Sequence, residues 1–157
     1  MPYKPEMAGK PYNARRPVPP ELRPAERCAE PPPKGLLDGV EQFNRREFFE
    51  CHETLEAVWN AEPGPIRTLY KGILQVGVGC YHLLRQNYRG ATLKLQTGAD
   101  YLEPFRPRCM GVEVGRLIDD ARRLRSALVA LGPERIREVD HDLIPTVHLA
   151  DDAAGGA

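Results

Sequence analysis

Two histidines, two glutamates and one glutamine near the middle of the chain are the side chains best suited to chemistry. His52, Glu53 and Glu56 lie in the stretch FFECHETLEAVW, and Gln75 and His82 follow in LYKGILQVGVGCYHLLRQ. Imidazole and carboxylate groups can bind a divalent metal ion, and a glutamine amide both donates and accepts hydrogen bonds. These five residues form the candidate ligand-binding site.

Helical spacing predicts where the first group of side chains points. At about 100° per residue, Trp59 lies within about 40° of His52, and Glu56 lies about 40° away on the other side. Phe49, about 60° from His52, is expected at the edge of the buried sector, whereas Glu53, about 100° away, points toward the rim. We therefore expect Trp59 in the core and a buried His52 that bonds Glu56 at i+4.

A polar stripe on the next helix consists of Lys71, Gln75, Gly79 and His82. The rest of that helix is the most apolar part of the chain, so the stripe is a solvent face, a structural network or a functional cleft. Gly72, Gly77 and Gly79 of that helix each cost it about 1 kcal/mol relative to alanine. Close helix packing or room for a ligand would justify that cost.

Two classes of function follow from these residues. In one, His52, Glu56 and His82 bind zinc, manganese or iron, and Glu53 is the catalytic candidate that orients or deprotonates water in a metal-assisted hydrolase. Against it, HETLE lacks the second histidine of HExxH. In the other class, which is favoured here, the residues form a polar network between two helices of a non-catalytic module. Such a module would bind a protein or small molecule, or would self-associate as a homo-oligomer. A small-molecule pocket without metal would use the same side chains.

Apolar residues at helical spacing predict the elements that carry this site. Proline and glycine end most of them, and no alternating β pattern interrupts them. The predicted helices cover about residues 36–46, 47–61, 65–87, 89–105 and 112–131, with PERIREV as a possible further turn. Short loops favour antiparallel neighbours, so the predicted fold is an all-α, compact bundle of about five helices.

Composition divides the chain into three parts. Residues 1–34 hold ten of the 16 prolines and few large aliphatic side chains, which predicts a disordered arm. Residues 35–149 form the predicted helical domain, and 150–157, ADDAAGGA, a flexible tail.

The net charge of the chain does not indicate a nucleic-acid or membrane partner. The 22 basic and 22 acidic residues cancel, so no overall field favours nucleic acid or an anionic membrane. The short basic clusters RPR and RRLR are expected to be solvated, and His141 and His148 are expected to be exposed.

No stretch approaches the roughly 18 apolar residues of a membrane span. The four cysteines lack a CxxC pair and are predicted to be reduced thiols of a cytoplasmic protein.

The strings FNRREFFECHETLEAVW and LYKGILQVGVGCYHLLRQNYRGA resemble the small helical family known as domain of unknown function 309, over about residues 36–105. The resemblance implies a compact all-α fold without an established activity. It also implies motif positions, without assigning them a chemical role. They are Glu50, His52, Glu53, Glu56, Trp59, Gln75, His82, Asn87 and Gly90.

Overall fold

A computed structural model of the chain describes residues 27–150. The predicted all-α bundle is confirmed there, and the five main helices agree with the predicted segments to within a few residues. The helices are α1 (Lys34–Asn44), α2 (Phe48–Ala61), α3 (Arg67–Leu84), α4 (Tyr88–Leu102) and α5 (Val114–Leu131). Short 3-10 helices follow at Glu103–Phe105, Pro133–Glu138 and His141–Leu143. The PERIREV turn is thus present as a 3-10 helix.

Each helix packs on the next one along the chain, and α3 is central because both α2 and α4 lie against it. The buried residues of α2 are Phe48, Cys51, Leu55 and Trp59, a spacing that places one apolar face toward α3. Trp59 is 8% exposed, which confirms its predicted place in the core. The expectation for Phe49 is wrong, because its side chain is 55% exposed.

Glycines bring α3 and α4 into close contact. A Cβ atom on Gly79 would lie 2.9 Å from Leu95 Cγ, and one on Gly98 would lie 2.8 Å from the backbone nitrogen of Val76. Side chains at these positions would force the helices apart. Gly79 of the polar stripe is therefore explained by helix packing, the first of the two reasons considered from the sequence.

The N-terminal segment 27–33 joins the helical domain, which corrects two predictions. Cys28 and Cys109 form a disulfide across a sequence separation of 81, so these two cysteines are not reduced thiols. The Met110 nitrogen also donates to the Cys28 oxygen at 2.7 Å, and Arg27 pairs with Glu62 at 3.2 Å. The ordered domain thus starts before residue 35, because the loops after α2 and α4 supply partners for this segment. The remainder of the predicted arm, 1–26, lies outside the described residues.

The other two cysteines, Cys51 and Cys80, are buried and free. Burial raises the pKa of each thiol to about 12. Both thiols are therefore protonated and unreactive near neutral pH.

The C-terminal segment returns to the end of α1. Asn44 Nδ2 donates to the Val147 oxygen at 2.9 Å, and the Val147 nitrogen donates to Asn44 Oδ1 at 2.7 Å. Ala150, which the sequence placed in the tail, is 5% exposed, and its nitrogen donates to the Gly111 oxygen. The rest of the tail, 151–157, is not described. From residue 27 to residue 150, no helix has the length and apolar character needed to cross a membrane.

Candidate functional site

The face of α2 that carries the motif meets α3 through Trp59. His52 lies two turns and Glu56 one turn before Trp59 on this face, and both are half-buried. His52, predicted to lie in the buried sector, is therefore at the edge of the core. Glu53 is exposed, as its position on the helical wheel predicts. Trp59 is thus the residue that joins this face to the core.

Lys71 lies between two aromatic rings. Its Nζ is 4.6 Å from the centroid of the Trp59 ring and 5.5 Å from that of Tyr101, and its residue exposure is only 5%. The guanidinium of Arg67 lies over the same indole at 4.6 Å. Such contacts stabilise a cation whose hydration has been reduced. The structure therefore places a buried ammonium group where α2, α3 and α4 meet.

Two other cationic side chains act on this ammonium. Burial lowers the pKa of Lys71, and the charges of Arg67 and Lys94 lower it further. Burial also lowers the pKa of Lys94. We call the group formed by Arg67, Lys71 and Lys94, together with Trp59 and Tyr101, the lysine site.

Gln75 lies one turn beyond Lys71 on α3 and is 5% exposed. Its Oε1 atom is buried and accepts no hydrogen bond from the described residues. A buried carbonyl without a donor costs about 1–3 kcal/mol. The predicted position of Gln75 on a semi-buried polar stripe is correct, and its oxygen is available to a donor that enters the site.

His82 takes part in the turn between α3 and α4. The Asn87 nitrogen donates to the His82 oxygen at 2.8 Å, and Asn87 Nδ2 lies 3.3 Å from His82 Nδ1. Asn87 Oδ1 then caps α4 by accepting from the Gly90 nitrogen at 2.9 Å. A Cβ on Gly90 would lie 2.7 Å from the imidazole. These contacts explain three motif positions, His82, Asn87 and Gly90, as parts of one helix connection.

The metal set predicted from the sequence, His52, Glu56 and His82, is not assembled. Across residues 27–150, no three histidine, cysteine, aspartate or glutamate side chains are placed to hold a metal ion together. The physical reason is that the imidazole of His82 packs against Gly90 and bonds Asn87 at the end of α3.

A second candidate site was missed by the sequence reasoning. A cleft of about 420 Å³ lies between Arg46 in the turn after α1, the first half of α5 and the segment 142–148. Its polar lining includes Arg46, Arg116, Asp120, Arg123, Asp142, Thr146 and His148. Arg123 belongs to the RRLR cluster and is exposed, as expected, whereas His148 is half-buried rather than exposed. The signal available in the sequence was the spacing of Arg116, Asp120 and Arg123, which share one face of α5.

Comparison with known proteins agrees with the helical motif. The model of a family described as "Domain of unknown function (DUF309)" matches residues 36–93, so the segment from α1 into α4 is similar to this uncharacterised family. The resemblance seen in the sequence is thereby confirmed.

One curated relative gives the same result. The "Uncharacterized protein YpuF" of Bacillus subtilis (strain 168) is 34% identical over 91 residues, which are 55% of this chain and 52% of that protein. The chain thus spans about half the length of this relative. No solved structure matches the chain.

Proposed function

We propose that the protein is a non-catalytic binding module and that the lysine site receives a carboxylate group of its ligand. The observation that carries this proposal is the position of Lys71, which is 5% exposed and held against the rings of Trp59 and Tyr101. A carboxylate would form charge-assisted hydrogen bonds with such an ammonium, which are stronger than neutral ones.

The neighbouring residues favour the same class of ligand. Arg67 and Lys94 add positive charge, since both lower the pKa of Lys71. The unpaired Oε1 of Gln75 would accept a hydrogen bond from an N–H or O–H group of the ligand. Of the residues proposed from the sequence, Gln75 would bind the ligand, and His52, Glu53 and Glu56 would line the half-buried to exposed side of the site.

Trp59 provides a direct test, because it is the only tryptophan in the chain. Titration with succinate and with a glutamate-rich peptide should change its fluorescence, and the two titrations distinguish a small molecule from a protein segment. Lys71→Met keeps much of the apolar stem and removes the charge, so it should weaken binding at least tenfold. Lys34→Met is the matched control, since the Lys34 side chain is 86% exposed.

The pH dependence provides a second measurement on the same proteins. Because the pKa of Lys71 is lowered from 10.5, carboxylate binding should weaken as the pH rises through that lowered value and the ammonium loses its proton. Equal affinities for wild type and Lys71→Met would reject the proposal. Sedimentation equilibrium during the titration separates ligand binding from self-association. If the protein self-associates, the fluorescence should depend on the protein concentration instead of the ligand concentration.

A cytoplasmic location stays a prediction. The Cys28–Cys109 disulfide is typical of proteins in oxidising compartments. Thiol titration of protein isolated under alkylating conditions would decide whether the bond exists in cells.

A further inference from the structure

We infer that the cleft between α1, α5 and the C-terminal segment binds a small organic oxyanion, either a phosphate monoester or a carboxylate, with Arg46 as its principal ligand. This site is separate from the lysine site and does not depend on it. It lies mostly outside residues 36–93, the part of the chain that matches the family. We call it the arginine cleft.

The charges of the arginine cleft favour an anion. Three arginines and two aspartates line it, so the lining keeps a net positive charge of one when His148 is neutral. Asp120 is shared by Arg123 at 3.0 Å and Arg116 at 4.0 Å. The guanidinium of Arg46 has neither a hydrogen bond nor an ion pair within residues 27–150. Arg46 is therefore the group whose charge is least compensated.

The walls of the cleft are held by hydrogen bonds that do not involve its charged groups. Val147 is fixed to Asn44 by two hydrogen bonds, and the Glu113 nitrogen donates to the His148 oxygen at 2.8 Å. Thr146 Oγ1 lies 3.0 Å from His148 Nε2. Three separate parts of the chain are thus tied together around the opening, and a preformed site binds without a large ordering cost.

The backbone of Arg46 provides an independent observation. Its φ is 66°, in the left-handed region, at the position after α1 where glycine is the favoured residue. Its nitrogen donates to the Phe43 oxygen at 2.9 Å, which closes the end of the helix. Glycine would make the same turn with less strain. Binding of a ligand by the arginine side chain would offset this conformational cost.

The size and lining of the cleft indicate the kind of ligand. Its volume of about 420 Å³ lies within the range of pockets for small organic molecules. Guanidinium groups bind carboxylate and phosphate oxygens through two parallel hydrogen bonds. Leu143, Ile144 and Pro145 supply an apolar side. The ligand would thus combine an oxyanion with a short apolar part.

The test uses the protein with its C-terminal segment intact and defined probes, at constant ionic strength. Phenyl phosphate and benzoate are titrated by isothermal calorimetry, with inorganic phosphate as the probe that lacks the apolar part. Phenyl phosphate or benzoate should bind, and Arg46→Gly should weaken that binding at least tenfold. The same variant should raise the thermal midpoint of the unliganded protein, because it relieves the left-handed strain. The charge control is Arg89→Gln, at an exposed position of α4. Glutamine is used there because glycine would destabilise the helix.

Two further variants distinguish binding at the arginine cleft from binding at the lysine site. Arg123→Gln should weaken binding as well, whereas Lys71→Met should leave it unchanged, so failure of the lysine site and failure of the arginine cleft are distinguishable. Binding that falls equally in Arg46→Gly and Arg89→Gln would overturn the inference, because it would indicate a general charge effect. Absence of binding by all three probes at 10 mM, on the order of the weakest affinities that such a site should show, would also overturn it.

Discussion

The half of the molecule that carries the recognisable motif and the half that carries the arginine cleft differ in what their polar residues do. In α1 to α4, His82, Asn87 and Gly90 build a helix connection. Around α5, Arg46 and His148 line an open space of about 420 Å³. The residues of a dense sequence motif can thus be structural, while polar residues that form no motif line a cavity.

The largest expected effect is in the packed half. Trp59→Ala should lower the free energy of unfolding by about 3–5 kcal/mol, because the indole is buried and also contacts Arg67 and Lys71. Phe49→Ala on the same helix is the control and should change it by about 0.5 kcal/mol or less, since Phe49 is 55% exposed. Urea denaturation measures both. A Trp59 effect as small as the control would contradict the packed arrangement.

The disulfide should have the next largest effect. Cys28→Ser should lower the free energy of unfolding by about 2–4 kcal/mol, because the closed loop restricts the unfolded chain. Reductant should destabilise wild type by a similar amount and leave the variant unchanged. Denatured, unreduced protein should show two free thiols, from Cys51 and Cys80. Four thiols in that measurement would show that the bond is not formed.

The link between the two halves can be weakened at Asn44. Asn44→Ala should cost about 2 kcal/mol, because it leaves the buried Val147 backbone without its two hydrogen bonds. Asn44→Asp retains the acceptor and should cost less. Hydrogen exchange at the Val147 amide should quicken in the alanine variant more than exchange within α3. Uniform quickening would mean that the halves unfold together.

Gln75 tests whether the lysine site contains an unpaired acceptor. Gln75→Met should raise the free energy of unfolding by about 1 kcal/mol, because the buried Oε1 is removed while the volume is largely kept. Gln96→Met, at an exposed position of α4, should be close to neutral. A clear loss of stability in Gln75→Met would show that the amide already has a partner in solution.

The smallest effect concerns His82 and pH. Its pKa is lowered from 6.5 by burial first, and then by Lys94 and Arg85. The unfolded chain therefore binds the proton more readily, and stability should fall as the pH decreases from 6.5 through the lowered pKa. His82→Gln should flatten this part of the curve, whereas His141→Gln, at an exposed position, should not. Equal slopes in all three proteins would contradict the assignment.

The helices could be predicted because their signals are local. Apolar spacing and flanking proline or glycine placed α2 at 47–61, against Phe48–Ala61 in the structure, and α5 at 112–131, against Val114–Leu131. The placement of Trp59 and Gln75 followed from the same spacing. Phe49 and Leu55 both lie about 60° from His52, on opposite sides of it. Only Leu55 is buried, because the angle does not show on which side a neighbouring helix packs.

The missed features depend on residues that are distant in sequence. The Cys28–Cys109 pair is separated by 81 positions, and Arg46 meets Arg123 and His148 only after α5 and the C-terminal segment have docked. The contact of Lys71 with Trp59 and Tyr101 requires three helices to be in place. Helical periodicity defines one face at a time and gives no distance between faces.

The disulfide also determines the topology of the covalent chain. The bond between Cys28 and Cys109 closes a ring that contains α1 to α4, and α5 with the C-terminal segment extends from that ring as a linear branch. A protease cut between α2 and α3 leaves both fragments joined, whereas a cut just beyond Met110 releases the branch. The two halves of the molecule therefore differ in how completely a single cleavage can separate them.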